Sequence, residues 1–130
     1  MLEFKDISPA GYSQYVEVDL GTAKMLLISG QVPLDEQGNT VGVGDLSKQI
    51  EQTFTNLKNI IEKAGGTMSD IAKLNYYLVD MSQILLLREL RNKFINVQNP
   101  PASTAVQVER LFREDVLIEI EATVIIPKKK

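Results

Sequence analysis

Two glutamates, Glu119 and Glu121, stand two residues apart near the C-terminus of this 130-residue chain, inside a run of alternating apolar residues. Carboxylates matter here because the sequence contains no His, no Cys and no Trp. Thiolate nucleophiles, disulfides, Cys/His zinc sites, Ser-His-Asp triads and imidazole proton transfer are excluded by composition. What remains is acid–base work by carboxylates, anion binding by Lys and Arg, and positioning of water by hydroxyls or backbone groups. No acidic residues fall at calcium-loop spacing. Taken alone, Glu119 and Glu121 lie on the same side of one strand and either suits solvent. Ser29-Gly30-Gln31 offers a glycine where backbone can approach a ligand, although a plain strand end explains it equally well. Arg110 is expected in a structural ion pair rather than in catalysis.

The elements that position these residues read as strands and helices in alternation. Tyr15 to Leu20 and Met25 to Gln31 form strands joined as a hairpin through Gly21-Thr22-Ala23-Lys24. Pro33, Gly38-Asn39, Gly42 and Gly44 mark a loop. Leu46, Ile50, Phe54, Leu57, Ile60, Ile61 and Ala64 recur at three- and four-residue steps, which predicts a helix capped by Asp45 and stopped by Gly65-Gly66. A strand from Ala72 to Val79, a helix from Ser82 to Phe94 with Ser82 as cap, a strand near Thr104 to Val108 and a last strand from Val116 to Ile126 complete the order. Each helix joins two strands, so both pack on one face of a single mixed sheet.

Length and composition agree with one domain spanning residues 1–130, since 44% hydrophobic and 24% charged residues suit a compact soluble unit. No stretch reaches the roughly 18 apolar residues a membrane helix needs. The opening Met1-Leu2-Glu3-Phe4-Lys5-Asp6 has no apolar signal-peptide region, which makes the cytoplasm the expected location. A net charge of -3 argues against a nucleic-acid partner. Lys128-Lys129-Lys130 after Pro127 reads as a solubilising tail.

The strands also predict a partner. Val116, Ile118, Ile120, Ala122, Val124 and Ile126 fill one face of the last strand, yet Leu117 and Ile125 make the other only half polar, and Met25-Leu26-Leu27-Ile28 is apolar on both sides. Two helices cover one face. The other is expected to be buried by another copy of the chain, unless loops and the N-terminal segment close over it.

Several segments together resemble the Rid family, the reactive intermediate deaminases also labelled L-PSP endoribonucleases. Val18-Asp19-Leu20-Gly21 with Ile28-Ser29-Gly30-Gln31-Val32-Pro33 is similar to its opening hairpin. Asn56 to Gly66, followed by Ser69-Asp70-Ile71-Ala72-Lys73, is similar to its first helix and third strand. Pro101-Ala102, Val106 to Leu111 and Ile118 to Ala122 resemble its C-terminal signature. The likeness covers about residues 9–126. It implies a chorismate-mutase-like α+β fold, a homotrimer, and three small-molecule clefts between neighbouring subunits. It also implies hydrolysis of 2-imino or enamine acids to 2-keto acids and ammonia, with no cofactor.

The resemblance further implies site residues, and one departure. Glu119 matches the carboxylate that positions water, Tyr15 an aromatic residue at the cleft rim, and Ser29 and Gly30 the cleft wall. The arginine that grips the substrate carboxylate is replaced by Ser103 within Pro101-Ala102-Ser103-Thr104-Ala105-Val106. Ala105 occupies a small polar or thiol position, and Arg88 that of an asparagine. A hydrogen bond involving a charged group contributes about 1.5–3 kcal/mol against roughly 1 for a neutral one. Ser103 therefore predicts weak binding of ordinary 2-imino acids. Arg88 either replaces the lost cation from another direction or is an exposed helix residue beside Glu89 and Arg91. The favoured expectation is a divergent member whose cleft takes another small molecule, the second an imine deaminase. Ribonuclease activity is disfavoured by the acidic balance, and chorismate-mutase activity rests on fold analogy alone.

Overall fold

The structure is a computed structural model that describes residues 1–129; Lys130, the end of the basic run, lies outside the described residues. Six strands form one sheet: β1 (Leu2–Ser8), β2 (Tyr12–Asp19), β3 (Ala23–Gln31), β4 (Ile71–Leu78), β5 (Ala102–Gln107) and β6 (Ile118–Pro127). Their order across the sheet is β1-β2-β3-β6-β4-β5. Only the β4–β5 pair is parallel. Helix α1 (Leu46–Lys63) links β3 to β4, and α2 (Ile84–Arg91) links β4 to β5. The expected mixed α+β sheet is thus present. Among the described residues no helix is long and apolar enough to cross a membrane.

One face of the sheet carries the core. Leu26 and Ile28 of β3, Leu74, Tyr76 and Leu78 of β4, and Ile118, Ile120, Ala122, Val124 and Ile126 of β6 pack against Ile50, Phe54, Leu57 and Ile61 of α1 and Leu87 and Leu90 of α2. The period-2 pattern of β6 meets the stripes of both helices, as alternation and helical spacing require. Asp45 caps α1, accepting from Lys48 N at 3.2 Å, and Gly65 follows the helix at φ 93°, a left-handed conformation that favours glycine.

Several boundaries differ from expectation, four of them for physical reasons that the contacts make plain. The N-terminal segment neither hangs free nor folds over the sheet; Leu2 to Ser8 add an edge strand beside β2. Ser82 does not cap α2. Asp80 accepts from Ser82 N at 3.0 Å and opens a 3-10 turn at Met81–Gln83, so the α-helix begins at Ile84. That helix ends at Arg91, and Phe94 instead stacks on Phe54 at 5.0 Å. Finally, β6 begins at Ile118 because the Leu117 amide donates to the side chain of Gln49 at 2.8 Å. The Gln49 side chain is fully buried, and its Nε2 donates to the Asp115 carbonyl at 2.7 Å and the Gly42 carbonyl at 3.1 Å.

The second sheet face stays open. Phe4, Leu27 and Val106 lie on it, and Leu27, in a strand with neighbours on both sides, is 44% exposed. At the far corner Lys128 is no free tail: its ammonium donates to Asp19 at 2.6 Å. That contact, with the Gly21 amide, holds the Asp19 carboxyl below its usual range.

Candidate functional site

A β-bulge in β3 creates the first candidate site. Ile28 pairs with Ala122 and Gln31 with Ile120, so three steps of β3 span two of β6 and one residue is in excess. Ser29 and Gly30 occupy the irregular stretch. A groove of about 510 Å³ opens beside it, walled by Tyr12, Ser29, Gly30, Val32, Phe112 and Glu119. Helix α1 fixes the adjoining loop, because the Asn56 amide donates to the carbonyls of Val32 at 3.0 Å and Leu34 at 2.9 Å. Ser29 donates its hydroxyl to the Ser13 carbonyl at 2.6 Å, which leaves its lone pairs available as acceptors.

Gly30 makes room for Glu119. A Cβ on residue 30 would overlap the Glu119 carboxylate and approach its Cγ to 2.8 Å. The two glutamates of β6 are set apart by their partners. Glu121 accepts from Tyr77 Oη at 2.7 Å and Asn75 Nδ2 at 3.0 Å. Among the described residues Glu119 has no such support. Burial pushes its carboxyl above the ordinary range, and the charge of Glu121 pushes the same way. A carboxyl so placed can hold a proton or, once ionised, take one from water.

The second candidate site lies on the other side of the sheet. Ser103 pairs with Leu74 and Ala105 with Tyr76, placing both on the face that carries α2, whereas Glu119 pairs with Tyr77 and faces the open side. Ser103 and Ala105 line a groove of about 340 Å³ with Tyr76, Leu87, Arg88 and Arg91. Tyr76 is 2% exposed and, among the described residues, its hydroxyl has no hydrogen-bond partner. An unmatched buried polar group costs about 1–3 kcal/mol. Burial also raises the phenol well above its usual range, so it stays protonated as a donor.

The residues singled out in the sequence therefore form two groups within one chain: Ser29, Gly30 and Glu119 in the bulge groove, and Arg88, Ser103 and Ala105 in the α2 groove. Tyr15 joins neither. It is 4% exposed and part of the core, since its pairing with Ile28 turns it toward the helix side. Tyr12, three residues earlier and on the opposite side of β2, is the aromatic residue of the bulge groove, together with Phe112. Sequence reading misses Tyr12 because it begins the strand at Tyr15; the alternation extended backward separates the two tyrosines. Arg110 donates to the Leu111 carbonyl at 3.2 Å and makes no ion pair among the described residues.

Comparison with known proteins places this geometry in a family. The sequence pattern described as endoribonuclease L-PSP matches residues 5–126. The chain belongs to the L-PSP endoribonuclease, or Rid, family. A RutC family protein of Pyrococcus horikoshii is 37% identical over 118 residues, covering 91% of this chain and 87% of that protein. A protein of Salmonella typhimurium named 2-iminobutanoate/2-iminopropanoate deaminase is also 37% identical, over 88% of this chain and 89% of its own length. The crystal structure of RidA from the Antarctic bacterium Psychrobacter sp. PAMC 21119 superposes with a TM-score of 0.77 at 35% identity, covering 94% of this chain and 96% of that one. The six strands and two helices match the fold of these Rid-family neighbours, as the sequence resemblance implied.

Proposed function

We propose that this chain is a divergent Rid-family protein, a homotrimer with a small-molecule cleft at each of three subunit boundaries, that does not act on ordinary 2-imino acids. One observation carries the reading: Ser103 lines the α2 groove with a neutral hydroxyl at the position where the family resemblance implies an arginine. A hydroxyl offers one neutral hydrogen bond and no counter-charge to a carboxylate seated against residue 103, the pose the family resemblance implies. Self-association is supported by the uncovered sheet face bearing Phe4, Leu27 and Val106. It is supported also by the two grooves, which lie on opposite sides of one sheet and can join only across a boundary between copies. Light scattering after size exclusion gives the mass; a lone chain removes the cleft.

The activity test follows imine disappearance with the purified protein after an amino-acid oxidase or dehydratase has generated 2-iminobutanoate or 2-iminopropanoate. The expected rate equals that of buffer. A clear rate above buffer favours the second reading, a cofactor-independent deaminase releasing ammonia. That reading is supported by Glu119, whose raised carboxyl is suited to ordering water, and by the deaminases among the relatives.

A further inference from the structure

The α2 groove holds more positive charge than a single acid group needs. Arg88 and Arg91 are three residues apart on α2, so their side chains are neighbours on one helix face, and both line the groove. Neither forms an ion pair with a carboxylate among the described residues; Arg91 only donates to the adjacent Asn92 side chain, at 3.3 and 3.2 Å. Tyr76 lines the same groove, and its buried hydroxyl has no hydrogen-bond partner among the described residues. Between these polar groups the walls are apolar, formed by Met81, Ile84 and Leu87. Two unpaired forks, an orphaned donor and apolar walls between them describe a receptor for two anionic groups joined by a short carbon chain.

We propose that the α2 groove binds a short dicarboxylic acid, with Arg88 and Arg91 each holding one carboxylate and the Tyr76 hydroxyl donating to one of them. The proposal rests on the reading that this groove takes a small molecule, and it names the class. Inorganic phosphate would converge both guanidinium groups on one centre and leave the apolar wall unused, so the dicarboxylate is the better match.

Isothermal titration of the full chain with succinate, propanoate and inorganic phosphate tests it. Succinate is expected to bind about ten-fold or more tightly than propanoate, and more tightly than phosphate. Arg88→Gln and Arg91→Gln, at helix-surface positions, are each expected to weaken succinate about ten-fold while changing propanoate less. Tyr76→Phe is expected to weaken succinate several-fold while its melting temperature without ligand stays equal or rises. Equal affinity for the two acids, tighter binding of phosphate, or unchanged succinate affinity in either arginine variant overturns the proposal. These outcomes are independent of the trimer: a trimeric mass without dicarboxylate preference sinks the two-arginine clamp and leaves the subunit cleft standing.

Discussion

Gly30 and the Glu119 carboxylate occupy neighbouring strands so closely that a single methyl group on residue 30 has no space. The bulge in β3 brings the glycine there, and the alternation of β6 delivers the glutamate. Gly30→Ala is expected to swing the flexible Glu119 side chain out of the groove, at a stability cost near the low end of the about 1–3 kcal/mol typical of overpacking. In the double variant with Glu119→Ala the loss should be less than additive by about 0.5–3 kcal/mol. Urea unfolding of the four proteins measures the coupling; strict additivity would show that the two residues do not touch.

The raised Glu119 carboxyl gives a signed pH dependence. Between the unfolded value near 4.5 and its higher folded value, the native state binds more protons than the unfolded chain, so stability contributed by this group falls as pH rises through that window. Glu119→Gln removes the slope. The variant is expected to match the parent at acid pH and to exceed it above the window, read by urea midpoints across a pH series. If the deaminase reading holds, the rate should climb with pH through the same window as the carboxylate ionises.

Gln49 is a stability prediction. Its amide satisfies the Leu117 amide and two loop carbonyls in a fully buried position. Gln49→Leu leaves those backbone groups unmatched and is expected to cost about 2–3 kcal/mol, seen as a lower urea midpoint with an unchanged slope.

Ser103→Arg tests the departure from the family directly. Set in the α2 groove, the new guanidinium would supply a fork for one carboxylate, and activity on 2-iminopropanoate should appear or increase. A folded, trimeric Ser103→Arg protein with no gain would show that the missing clamp is not what limits the reaction.

Much of the architecture was legible because it obeys periodicity. The stripe of α1 and the strict alternation of β6 announce a helix and a strand that share a core, and the structure unites them. What escaped reading depended on partners distant in the chain. Leu2 to Ser8 carry mixed side chains, with Lys5 and Asp6 between apolar residues, and become a strand only because β2 offers an edge. Gln49 looked like one polar residue on a helix, yet its bonds reach residues 66 and 68 positions away. In the site, only the family resemblance brings Ser29, Gly30 and Glu119 together, and Tyr15 and Tyr12 are told apart by the phase of β2. Which side of the sheet Ser103 faces follows from its register with Leu74, a long-range pairing invisible in the local pattern.

The position of β6 has a consequence for biosynthesis. Strand β6, made after both β3 and β4, is inserted between them and makes the antiparallel pairs that join the two halves of the sheet. Until those residues emerge, β3 and β4 each present an unpaired edge, so the nascent chain waits with two adhesive borders and acquires its native sheet in one late, slow closure. A truncation that removes β6 is therefore expected to leave an insoluble product in place of a shortened but working domain.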